Sequence, residues 1–101
     1  MHLIQLLLPQ YDNTGEQFPE AYYTKVRREL TDKFGGLTAF TRAPAQGLWK
    51  NEGETKRDDI LVFEIMSPRL NRAWWRHYRA ALEERFRQDR IIIRAQRIDV
   101  V

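Results

Sequence analysis

Glu64 is the residue whose setting most demands a chemical explanation. It interrupts Asp58-Asp59-Ile60-Leu61-Val62-Phe63-Glu64-Ile65-Met66, a run that is otherwise apolar, rich in β-branched and aromatic residues, and closed by Ser67-Pro68. A carboxylate in so apolar a strand is costly unless it is partnered. Arg94 can reach the same sheet face, as can Arg42 if its strand has the matching phase, and Gln5 and Gln96 lie nearby. Such a cluster has two uses. It can orient a ligand or exchange protons with one, Glu64 acting as acid or base. Alternatively it is a structural ion pair at a subunit interface, or a carboxylate that reaches water at the end of the sheet.

The other chemical candidates are weaker. His77 lies among Trp74, Trp75 and Tyr78, where it can serve as a base or an axial haem ligand. It sits at the margin of an apolar helical stripe, however, and the spacing of the aromatics is that of a packing face. Trp49, flanked by Lys50 and polar residues, is either an arm into a partner subunit or the cap of a ligand pocket. The candidates are therefore Glu64 and His77 for catalysis, and Glu64, Arg42, Arg94 and Trp49 for ligand binding. With His2 and His77 as the only histidines and no cysteine, there is no recognisable zinc or iron triad and no cysteine nucleophile. No nucleophile-elbow motif is present. No cofactor is called for. Gly35-Gly36 follows a helix instead of preceding one, which makes it a left-handed cap and not a phosphate-cradling loop.

Composition sets the frame for these side chains. A chain of 101 residues is the size of one domain, here residues 1–101, with a modest core. The absence of cysteine fits a reducing compartment. Leu3-Ile4-Gln5-Leu6-Leu7-Leu8 is too short to span a membrane and lacks the flanks of a secretion signal, so a soluble, cytoplasmic protein is expected. The net charge of +3 and pI near 9.5, with basic residues concentrated after residue 69, permit an acidic ligand or nucleic acid but are equally the charge of an ordinary soluble surface.

Six elements must position the candidates. Leu3–Leu8 is a strand ended by Pro9, apolar on both faces. Tyr11-Asp12-Asn13-Thr14-Gly15 has turn chemistry. A helix should begin near Pro19 and stop at Gly35, with Tyr22, Tyr23, Val26, Leu30 and Phe34 as its buried stripe and Lys25, Arg28, Glu29 and Asp32 toward water. Leu37–Arg42 is a second strand, broken at Ala43-Pro44 and resumed near Trp49; a strand that tolerates Pro44 belongs at an edge. Asn51–Arg57 is a loop leading into the third strand. Asn71 should cap a second helix that runs to about Gln88, buries Trp74, Trp75, Tyr78, Ala81, Leu82 and Phe86, and carries Arg79-Glu83 and Glu83-Arg87 at four-residue spacing. Ile91–Ile98 is the last strand.

The order β-α-β-β-α-β is the split arrangement of ferredoxin-like folds, an α+β class in which an antiparallel four-stranded sheet carries both helices on one face. If Leu61, Phe63 and Ile65 face the helices, then Ile60, Val62, Glu64 and Met66 face away, together with Leu3, Leu7, Ile92 and Ile98. So large an apolar patch calls for a cover. On that element order and patch the chain resembles the dimeric α/β-barrel superfamily, in which two ferredoxin-like subunits pack sheet to sheet. Gly36-Leu37-Thr38, Gly47-Leu48-Trp49 and Asp59-Ile60-Leu61-Val62-Phe63 also resemble small uncharacterised bacterial proteins of this shape. The resemblance implies a homodimer and a small organic ligand. Its enzymatic version is a monooxygenase- or isomerase-like protein, and the alternative is a non-catalytic binding or regulatory module. RNA-binding sheets of this fold stack bases on aromatics of the central strands; here the outward face is aliphatic, which argues against nucleic acid.

Overall fold

The computed structural model describes residues 1–35, 39–44 and 59–101, with side chains for 1–35 and 60–101. Along the chain the elements are β1 (His2–Pro9), α1 (Glu20–Phe34), β2 (Ala39–Pro44), β3 (Asp59–Ser67), α2 (Arg72–Arg85) and β4 (Ile92–Arg97). The strands form one antiparallel sheet in the order β2-β3-β1-β4. β3, β1 and β4 carry the described side chains, and β2 adds its backbone beside β3. This is an α+β structure compatible with a ferredoxin-like arrangement. β2 runs on through Pro44 instead of ending at Arg42, and as an outermost strand it needs no ladder donor there. The residues expected to start β2, the expected second part of the hairpin with Trp49, and the loop before β3 lie outside the described residues.

Alternation along β1 and β3 decides which side is core. Ile4, Leu6 and Leu8 of β1 and Leu61, Phe63 and Ile65 of β3 are buried in one cluster with Tyr23, Val26 and Leu30 of α1 and Trp75, Tyr78 and Leu82 of α2. Both helices therefore cover the same face. The helix–helix seam is aromatic: Phe34 of α1 stacks on Trp75 of α2 with ring planes 10° apart and meets Trp74 edge-on at 86°.

The ends of the helices follow local chemistry. Pro19 stands at the N-cap of α1 without a side-chain bond, Glu20 occupies the first turn, and Gly35 closes the helix at φ 83°, its N–H donating to Thr31 O at 2.8 Å. Asn71 caps α2 by accepting from Trp74 N–H at 3.1 Å. In the turn before α1, Asp12 gathers the Thr14 hydroxyl and the N–H groups of Thr14 and Glu16. The Thr14 hydroxyl is the main reason why the Asp12 carboxyl titrates below its ordinary range.

α2 ends at Arg85 instead of continuing to Gln88, because Arg87 turns to φ 50° and Gln88 N–H reaches back to Glu83 O at 2.9 Å. This is a left-handed helix stop of the kind glycine usually makes, built here on a residue with a Cβ. Arg87→Gly should therefore stabilise the fold by about 0.5–1 kcal/mol. A rise in the denaturant midpoint at unchanged slope is the expected result.

Glu29, expected to face water, instead binds the two helices together. Arg85 approaches it through both guanidinium nitrogens, Nη2 to Oε2 at 2.7 Å and Nη1 to Oε1, and Tyr78 OH donates to Oε1 at 3.1 Å. The Arg85 hydrogen bond holds the Glu29 carboxyl below its ordinary value of 4.5. Burial, reinforced by the Glu29 charge, pushes the Tyr78 phenol up. A carboxyl whose folded pKa is depressed contributes stability above its unfolded pKa and loses that contribution as pH falls through the folded value. The pair is partly exposed, so screening leaves it about 0.5–1 kcal/mol. Glu29→Gln should cost that amount at neutral pH, and the difference between the two proteins should shrink as pH is lowered through the depressed folded value, as a series of denaturant titrations at falling pH will check.

Candidate functional site

The face of the sheet away from the helices carries one polar row across an apolar surface. The register places Glu64 opposite Gln5, and Gln5 opposite Arg94, so the three side chains stand side by side on adjacent strands. Gln5 connects them. Its Nε2 donates to Glu64 Oε1 at 3.0 Å, and its Oε1 accepts from Arg94 Nε at 2.7 Å. A primary amide can do this because it presents a donor and an acceptor on one planar group.

Apolar residues flank the row. Leu7, Val62 and Ile92 pair across the sheet on one side of it, and Leu3 and Met66 pair on the other. Leu3, Leu7 and Val62 are half-buried, while Met66 and Ile92 are exposed at 37% and 45%. The phase expected for Leu3, Leu7, Ile60, Val62, Met66 and Ile92 is the phase found, and it follows from the two-residue period of a strand.

Two expectations for the row change, those for the Glu64–Arg94 pair and for Arg42. Arg94 and Glu64 form no direct ion pair, because they sit two strands apart with Gln5 between them, and Arg94 is exposed. Arg42 is not the β2 member of this row: the backbone register pairs Arg42 with Leu61 and gives Ala39 to Glu64, and a one-residue difference in register changes the face. Gln96 pairs with Leu3, one row away. His77 is exposed on α2, on the helix side of the sheet, whereas Glu64 is on the other side; it does not join the row. Trp49 lies outside the described residues. The role of Gln5 had only a faint signal in the sequence, a lone amide in an apolar strand, and its bridging geometry needs the register to be seen.

Among the described residues, one carboxylate oxygen of Glu64 and the terminal nitrogens of Arg94 have no partner. The row therefore offers an acceptor at one end and donors at the other, about 10 Å apart at two strand spacings. That suits a ligand with a donor and an anionic or carbonyl group at opposite ends. Among the described residues no three His, Asp or Glu side chains converge on a metal position, and no helix is long and apolar enough to cross a membrane. No family model matches the chain, and neither any curated protein nor any solved structure shows significant similarity to it.

Because Arg94 is exposed and bonded to Gln5, Glu64→Gln leaves no buried cation behind. The amide oxygen of the new residue can still accept from Gln5 Nε2. Its stability should stay within about 0.5 kcal/mol of the parent, which equilibrium denaturation will check. A loss several times larger would mean that the carboxylate charge itself holds the sheet.

Proposed function

We propose that this chain is a small-molecule-binding protein that acts as a homodimer. Two ferredoxin-like subunits would pack their outward sheet faces together in the manner of dimeric α/β barrels, in a cytoplasmic setting that suits a chain without cysteine. The ligand lies along Gln5, Glu64 and Arg94 inside the closed interface. The observation that carries this reading is the polar row on an otherwise apolar sheet face that neither helix covers. Each large apolar side chain buried there contributes roughly 1.5–3 kcal/mol before the cost of association, so a partner sheet is a strong physical solution.

The catalytic form of the proposal assigns Glu64 as general base for a carbon acid, as an isomerase or a cofactor-independent oxygenase requires. The carboxylate oxygen that has no partner among the described residues supports it, since a base needs a free lone pair. Glu64 is also the only carboxylate described on that face, which restricts the chemistry to a single acid–base group.

Sedimentation over a dilution series tests the assembly. The parent should run at twice the 12.1 kDa chain mass. Ile92→Glu, which puts an unpaired charge into the apolar patch, should weaken dimerisation by about a hundredfold or more while leaving the far-ultraviolet dichroism unchanged. A parent that is monomeric and fully folded would refute the proposal.

A further inference from the structure

A second site stands apart from the sheet face, between α2 and β4. Arg72, Arg76 and Arg79 occupy successive turns along one side of α2, and with Trp75, Ile93 and Ala95 they line a cleft of about 200 Å³. Arg94 completes the wall between Ile93 and Ala95, its Nε committed to Gln5. No acidic side chain lines the cleft. Among the described residues Arg72, Arg76 and Arg79 have no carboxylate partner.

The missing partner has a structural cause. Glu83 is one turn from Arg79, the spacing of a helix ion pair, but its Oε2 accepts the Ile91 N–H at 2.9 Å and so anchors the chain entering β4. The first turn of α2 also contains no acid, so the positive end of its dipole beside Arg72 is met only by the neutral Asn71 cap. Three guanidinium groups thus share a concave site with a helix end that carries no acid and a wall of indole and aliphatic carbon.

We propose that this cleft binds a small organic phosphate monoester. The phosphate lies among Arg72, Arg76 and Arg79, and the carbon part lies against Trp75 and Ile93. A phosphate carries a charge of about −1.5 to −2 at neutral pH and three acceptor oxygens, which match several planar guanidinium forks better than a single carboxylate does. The cleft is smaller than the roughly 300 Å³ at which drug-sized pockets begin, which limits the ligand to a head group and a few carbons. Apart from Arg94, which also belongs to the sheet-face row, the lining comes from the helix side of one subunit, so the phosphate site does not need the dimer proposed above.

Phenyl phosphate, inorganic phosphate and benzoate, each titrated into the intact protein and followed by arginine Nε–H and backbone amide chemical shifts, test the proposal. Phenyl phosphate should saturate in the millimolar range or below, with shifts confined to α2, β4 and the adjoining Ile4 and Leu70, and bind more tightly than inorganic phosphate or benzoate. Arg76→Gln combined with Arg79→Gln, both at exposed positions, should weaken it by about tenfold or more. Arg28→Gln, which removes the same charge from α1, should not. Absence of saturation, equal weakening by Arg28→Gln, or shifts remote from α2, β4 and the adjoining Ile4 and Leu70 would overturn the site. Equal affinity for inorganic and phenyl phosphate would overturn the organic part of the ligand. Tight binding of a single-stranded oligonucleotide that phenyl phosphate fails to displace would show a nucleic-acid surface and overturn it as well.

Discussion

Two helices can cover only one face of a four-stranded sheet, yet β1 and β3 are apolar on both. This mismatch governs the molecule. Ile4, Leu6 and Leu8 have their cover in α1 and α2, whereas Leu3 and Leu7 do not, although they differ from the first set by no more than position in the same strand. Because side chains alternate, no local change can move the second set inward without moving the first set out. The outward face is therefore a fixed consequence of the inward one, and the Gln5, Glu64 and Arg94 row is fixed with it.

Features that depend on residue type and short spacing were legible in the sequence. Asn71 as a cap, Gly35 as a helix stop, Pro44 at a sheet edge and the phases of β1 and β3 all follow from local stereochemistry or from a period of two. Features that depend on a second element were not. Glu29 reads as a solvent-facing helix residue until α2 brings Arg85 and Tyr78 to it from about fifty residues away. Arg42 could not be phased, because its face depends on the pairing of β2 with β3 across a long connection. The α2 stop at Arg87 was missed because no glycine marks it, the left-handed angle being imposed by the return of Gln88 to Glu83.

Four of the described acids hold the chain. Asp12 closes its own turn, Glu29 bridges the helices, Glu64 takes the Gln5 amide, and Glu83 takes a backbone N–H at the start of β4. Along α2, Arg85 bonds a carboxylate, whereas Arg72, Arg76 and Arg79 have none among the described residues. A net charge of +3 thus understates how basic the surface along α2 is, since Glu29 and Glu83, the acids nearest to it, are turned to internal tasks. Charge totals treat all ionised groups alike, and here their placement separates them.

The aromatic seam between the helices also gives the protein an optical signature. The Trp74 and Trp75 rings lie 4.8 Å apart and nearly perpendicular, and Lys33 sits 5.3 Å from the centre of the Trp74 ring. Two indoles so close exchange excitation and couple their transitions, and a nearby ammonium shifts the energy of the ring it faces. Their near-ultraviolet signal therefore reports the packing of α1 against α2. The outward sheet face lies on the other side of β1 and β3, so closing it would leave these rings undisturbed, whereas separating the helices would take Lys33 and Phe34 of α1 away from them. The fold thus contains a spectroscopic clock for its core that is blind to what happens on its open side.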